Sequence, residues 1–110
     1  MTEKEKKFLS DISSSIELIE NFTQDLKSFT EYQNDLKTKG AVERHLAIIG
    51  EAVNKFLKES DANDLKNATQ IISLRNRLIH SYDNVDDSII WSIITRHLRP
   101  LKDEVNKKLE

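Results

Sequence analysis

The sequence predicts an all-α protein, an up-and-down bundle of four main helices with one short extra helix. Three observations carry this. Apolar residues recur every third or fourth position from Phe8 to Leu109. Only two glycines and one proline interrupt 110 residues, leaving little room for hairpin turns. Leu, Ile, Lys and Glu are plentiful, and no repeat or low-complexity tail is visible. The length suits one domain spanning residues 1–110, enough for a single modest core and too short for two.

The first series, Phe8, Ile12, Ile16, Ile19, Phe22, Leu26 and Phe29, predicts a long amphipathic helix from about Thr2 to about Lys27. Ser13, Ser14 and Ser15 fall on its solvated or small-residue side. Thr30 followed by Glu31 can cap a short turn through about Leu36, with Tyr32 facing inward. The second long helix runs from Thr38 to Lys58. Its stripe is Val42, Leu46, Ile49, Val53 and Phe56, widened by Ala41, Ile48, Ala52 and Leu57. So broad an arc offers two surfaces, one for intramolecular packing and one for a dimer mate. Gly50 in mid-helix costs about 1 kcal/mol relative to alanine, which a close helix approach would explain. Glu51 falls opposite the stripe with Arg44 and Lys55. It is either half of a solvated i, i+4 pair with Lys55 or a carboxylate that orients a functional residue.

Residues 59–64 form a loop in which Asp61 or Asp64 caps a third long helix, from about Leu65 to Ser81. After the turn at residues 83–87, with its strong N-cap signal, Ile89, Ile90, Ile93, Ile94 and Leu98 predict a fourth helix. Asp86 and Asp87 read as a helix start and not as an acid–base pair. Pro100 breaks or kinks this helix, or opens a fresh one at its first position. Leu101, Val105 and Leu109 carry the pattern to the end. Trp91 belongs in the core or at its edge.

Composition narrows the function. Nineteen acidic against seventeen basic residues give a net charge of −2, with the signs interspersed. A nonspecific polyanion binder is usually basic, so contact with RNA would need a local basic site. The chain has no cysteine, which removes disulfides and thiolate metal sites and fits a reducing cytosol. The first residues lead into an amphipathic pattern. Neither a signal peptide nor a membrane span is visible, so the expected location is cytoplasmic. His45, His80 and His97 show no metal-ligand spacing. There is no Gly-rich phosphate loop, no Ser-His-Asp trio and no H-E-x-x-H. No cofactor is expected.

One stretch does carry chemistry, the run from Leu74 to Asp83. On an ideal helix Ala68, Ile71, Ile72, Leu78, Ile79 and Tyr82 lie within ~60° of Arg75. A guanidinium in an apolar stripe costs several kcal/mol if unpaired. It needs a partner carboxylate, a subunit interface or an arriving anion. Asn76 and His80 share a face at i, i+4, and His80 near a helix C-terminus favours its protonated form. A histidine of near-neutral pKa can take the proton of an RNA 2′-hydroxyl or give one to the leaving oxygen. An arginine can hold the scissile phosphate and stabilise its transition state. Such a site needs no metal, would leave a 2′,3′-cyclic phosphate and a 5′-hydroxyl, and would spare DNA. Each residue also has a plainer reading: Arg75 as a structural arginine on a core acid, His80 as a helix cap, Tyr82 as a stripe residue. A guanidinium locked onto an internal acid, far from any groove and from a symmetry mate, would count against the nuclease reading.

Arg75-Asn76-x3-His80-x-Tyr82, an R-x4-H-x-Y pattern, resembles the motif of HEPN-domain proteins, specifically HepT-like toxins. Residues Ala41 to Ala52, containing Ile-Ile-Gly-Glu-Ala, resemble that family's upstream block. Asn84-Val85-Asp86 falls where its post-motif loop lies. The likeness covers nearly the whole chain. It departs at residues 59–64, where the family is usually longer and often carries Pro and Trp, and at Ser81, where Gly is common.

The resemblance implies a HEPN-like fold and a metal-independent endoribonuclease, the toxin of a type II/VII-like toxin–antitoxin pair. Arg75 and His80 would be the catalytic pair with Asn76 in support. Because Arg75 and His80 diverge by ~140° on one helix, either unwinding near Ser81 or a second copy must bring them together. The resemblance implies a homodimer with a composite cleft. It also implies that a minimal nucleotidyltransferase antitoxin, using ATP, silences the toxin by AMPylation of Tyr82. The rival reading is a catalytically silent HEPN module that binds a nucleotide or its nucleotidyltransferase partner. A bare helical scaffold is a third.

Overall fold

The computed structural model describes residues 1–59, 64–80 and 85–110. Their elements are helices α1 (Glu3–Thr23), α2 (Phe29–Asn34), α3 (Leu36–Glu59), α4 (Ala68–His80), α5 (Asp87–Ser92) and α6 (Leu98–Leu109). A five-residue π-helical stretch, Ile93–His97, joins α5 to α6. The expected all-α bundle is present. The extra helix is α2, and the fourth main helix is the α5–π–α6 run.

Thr2 opens α1 with a capping box. Its hydroxyl accepts the Glu5 amide at 3.1 Å while the Glu5 carboxylate accepts the Thr2 amide at 3.4 Å. The buried face of α1 is Leu9, Ile12, Ile16 and Ile19. Leu9, absent from the predicted series, is fully buried, Phe8 is half-buried and packs against the core, and Phe22 is 40% exposed. Ser14 is exposed whereas Ser15 is buried, where its small side chain admits α3. The helix stops at Thr23, short of Lys27. Thr23 Oγ1 bonds back to the Ile19 carbonyl at 2.8 Å, and Ser28, not Thr30, caps α2 by accepting the Glu31 amide.

Asp35 then ends one helix and begins the next. Its carboxylate accepts the Thr38 amide at 3.1 Å and the Thr38 hydroxyl at 2.7 Å, bonds that hold its pKa below the ordinary carboxylate value. For that reason α3 starts at Leu36, two residues before the predicted Thr38. All five predicted stripe residues of α3 are buried, Val42, Leu46, Ile49, Val53 and Phe56. α3 packs against α1 on one flank and α4 on the other, and α6 packs on α1. Both sides of its broad arc are therefore covered from within the chain. The molecule measures 41 × 28 × 19 Å. Its shortest extent is about two helix layers, and the exposed Arg44, Lys55 and Lys58 mark the open outer face of α3.

α4 begins at Ala68, three residues later than predicted, because Asn67 adopts φ 63° and cannot sit inside a right-handed helix. Asp64 accepts the Leu65 amide at 2.8 Å in the preceding turn, and Glu104 of α6 accepts the Lys66 amide at 3.0 Å. The rival cap, Asp61, lies outside the described residues. Asp86 caps α5 through the Ser88 amide at 2.8 Å, as the turn signal predicted. Asp87 pairs with Lys39 of α3 at 2.7 Å, and Trp91 stacks on the buried Tyr32 ring at 5.7 Å. Pro100 neither breaks the helix nor sits at its first position. It cannot donate to the Arg96 carbonyl and would crowd it. The π stretch just before it, where the Leu98 amide reaches back to the Ile93 carbonyl, absorbs the misfit.

Candidate active site

The site is built where α4 crosses α3. Gly50 is buried there, and a β-carbon on it would overlap Arg75 Cβ, lie 2.8 Å from Arg75 Cγ and 3.3 Å from the Ile71 carbonyl oxygen. The mid-helix glycine thus has the motive its sequence position suggested. It is the seat for the aliphatic stem of Arg75. Around it, Ala68 and Leu78 are buried and Ile71 and Ile72 half-buried, while Ile79 is 43% exposed. The apolar stripe surrounding Arg75 is therefore real on the α3 side and opens to solvent towards Ile79.

The seated stem carries the guanidinium over the outer edge of α3. Its Nη2 donates to Glu51 Oε2 at 2.7 Å, and its Nη1 donates to Asn76 Oδ1 at 2.9 Å. Nε is enclosed by protein and meets no acceptor among the described residues. Glu51 Oε1 faces Lys55 Nζ at 3.8 Å, so the carboxylate meets both the expected i, i+4 lysine and the motif arginine, with Arg75 the shorter contact. The arginine has found its partner carboxylate, but this is not an internal acid. The Glu51 side chain is 37% exposed and that of Arg75 25%, so an anion can reach both from solvent. Charge-assisted pairs of this length are strong only where water is excluded. At this exposure about 1 kcal/mol is the appropriate scale.

Asn76 is thereby in direct hydrogen-bond contact with Arg75. His80 is the last residue of α4 and exposed; with Arg77 it supplies the basic last turn that complements the helix dipole. α4 remains α-helical through His80. No unwinding before that point turns it towards Arg75, and the divergence of ~140° along one helix persists. Tyr82 and Ser81 lie outside the described residues, as do Asp83 and Asn84.

A second histidine sits on the α1 side of α3. His45 Nδ1 is 3.3 Å from Ser15 Oγ, and its ring leans on Phe22 at 5.7 Å. Partial burial, and the Arg44 charge beside it, hold its imidazole below the usual histidine value. It belongs to the α1–α3 seam and not to the Arg75 cluster. The sequence reading missed the contact between Gly50 and Arg75, although the Gly50-Glu51 doublet upstream of an arginine in an apolar stripe was the signal that could have found it.

Comparison with known proteins identifies the family. The ribonuclease HepT-like family profile matches residues 12–107. A Thermococcus cleftensis protein named probable ribonuclease HepT is 34% identical, over 97% of each chain. Two Methanocaldococcus jannaschii proteins with provisional RNase names are also similar. One is 33% identical over 91% of this chain and 92% of its own. The other is 35% identical over 93% and 88%. No solved structure matches significantly.

Proposed function

The chain belongs to the HepT-like ribonuclease family, and on that premise we propose that it is a metal-independent endoribonuclease of the toxin type, working as a homodimer. The observation that carries this reading is the guanidinium of Arg75, seated on Gly50, braced by Glu51 and Asn76 and still open to solvent. A phosphodiester approaching α4 meets the two Nη hydrogens that Glu51 and Asn76 leave unused, a pair suited to its oxygens. Arg75 holds the scissile phosphate and offsets the charge that grows on it, and Asn76 keeps the fork in place.

RNA supplies the nucleophile. The 2′-oxygen attacks phosphorus, its proton passes to a neutral imidazole, the bond to the 5′-oxygen breaks, and that oxygen receives a proton from an imidazolium. One cleft needs both a base and an acid. Two copies of α4 meeting across a two-fold axis would provide two copies of His80, one for each role, and would answer the divergence of Arg75 and His80 on a single helix. Ile79, 43% exposed on α4, is apolar surface that a second copy could cover.

Tyr82 is the proposed acceptor of AMP from a minimal nucleotidyltransferase antitoxin that uses ATP. The R-x4-H-x-Y pattern and the family membership support this. An anionic nucleotide two residues beyond His80 would compete with RNA for Arg75. No described helix is long and apolar enough to cross a membrane, and the proposed place of action is the cytoplasm.

One observation favours the rival reading, a silent module that binds a nucleotide or a nucleotidyltransferase. Arg75 already has a carboxylate on its fork. The two readings separate on the chemistry of RNA ends. Purified protein incubated with single-stranded RNA in EDTA is expected to leave a 2′,3′-cyclic phosphate and a 5′-hydroxyl. Intact RNA, or 5′-phosphate ends, would reject the nuclease mechanism.

A further inference from the structure

We infer that Glu51 is a positioning residue that fixes the orientation of the Arg75 guanidinium and, through its charge, limits how tightly the site holds a phosphodiester. This rests on the reading of Arg75 as the phosphate-holding group. Glu51 follows the glycine on which the arginine stem lies, so one turn of α3 determines both where the stem runs and where its head points. The head is held at two atoms only. Nη2 bonds to Glu51 Oε2 at 2.7 Å and Nη1 to Asn76 Oδ1 at 2.9 Å. Nε has no acceptor among the described residues. Nothing else described fixes the twist of the fork.

Asn76 is the next residue on the same helix as Arg75, so its bond moves with α4. Glu51 is the one brace that ties the head to α3. The other oxygen of the Glu51 carboxylate, Oε1, has Lys55 Nζ at 3.8 Å. Of the four hydrogens on Nη1 and Nη2, these two contacts use one each, which leaves two donors for a phosphate. A phosphate taking them would come close to a formal negative charge that cannot leave. The same carboxylate therefore does two opposed things. It aligns the donors, which raises turnover, and it repels the ligand, which raises KM.

Two substitutions separate these effects. Glu51→Gln keeps a side-chain oxygen at the same reach but removes the charge, so KM should fall about three- to tenfold at low salt, with a smaller change in kcat. Glu51→Asp keeps the charge but withdraws it by one methylene. Here kcat should fall about tenfold while KM does not fall. A purely structural carboxylate would move the melting temperature and the active fraction together, and would not split the two constants.

The experiment is steady-state cleavage of a fluorescent single-stranded oligoribonucleotide by the full chain, wild type against both variants, at two salt concentrations. Folded fraction is read by circular dichroism, and affinity is measured for a 2′-O-methyl version of the same oligonucleotide. The split constants, with the Glu51→Gln gain shrinking at high salt, are the expected result. If wild type cuts the RNA and both variants match its constants, or lose activity only in proportion to folded protein, the assignment of Glu51 is overturned. If wild type neither cuts nor binds, the reading of Arg75 fails first and Glu51 falls with it.

Discussion

Arg75→Lys is expected to reduce RNA cleavage by about a hundredfold or more while shifting the melting temperature by only a few degrees. The lysine stem can still run across Gly50, so packing between α3 and α4 survives. What is lost is the fork. In the native protein two separate nitrogens meet Glu51 and Asn76, at 2.7 and 2.9 Å. A single ammonium carries all its donors on one atom and cannot span both braces while also presenting a pair of N–H groups to a phosphate. Arg75→Ala should cost more, about a thousandfold, but it also uncovers the glycine seat and lowers stability. The lysine variant is therefore the cleaner comparison. Single-turnover cleavage beside a thermal melt makes the check. Near-native cleavage by Arg75→Lys would reduce this residue to a structural cation.

The second large effect comes from a methyl group. Helix propensity alone says that Gly50→Ala should stabilise α3 by about 1 kcal/mol. The packing says the reverse. The new β-carbon would overlap Arg75 Cβ and stand 2.8 Å from Cγ and 3.3 Å from the Ile71 carbonyl oxygen. Two of those atoms belong to the root of a side chain and the third to backbone, so α4 itself must move. Overpacking of this kind costs about 1–3 kcal/mol beyond any propensity gain. A fall in melting temperature of about 10 °C is expected for a domain this size, with loss of cleavage because Arg75 is displaced. Gly40 in the same helix is the control. A β-carbon there meets nothing within 4 Å, so Gly40→Ala should raise stability by about 0.5–1 kcal/mol. Equal responses at the two positions would mean that α3 and α4 do not approach as closely as described.

The contrast between these glycines also shows what could be read in advance. Periodicity identified the buried stripe of α3 because burial there depends only on spacing. It ran the stripe of α1 through Phe8 and Phe22 because an ambiguity of one residue remains at the edge of a stripe. There Leu9 won the buried place and Phe22 stayed 40% exposed. Helix ends were displaced where the deciding contacts are specific, such as the Asp35 carboxylate on Thr38 and the positive φ of Asn67. No apolar pattern reports those. The π stretch before Pro100 was equally silent. Proline announces a fault in the helix but not how the neighbouring turn absorbs it. At the site, the apolar stripe announced that Arg75 needs a partner. The identity of Glu51 as that partner depended on how α4 crosses α3, which spacing along one helix cannot supply.

The side chain of His80 stands in solvent at the end of α4, where a second copy of the chain would complete the proposed cleft. His80→Ala removes an exposed imidazole and should leave the fold intact. Cleavage of single-stranded RNA in EDTA by His80→Ala, measured against wild type at equal folded concentration, is the direct measurement. Loss of about a thousandfold or more is the result expected of a proton-transferring histidine. Cleavage by the variant within a few-fold of wild type, with the same RNA ends, would contradict it.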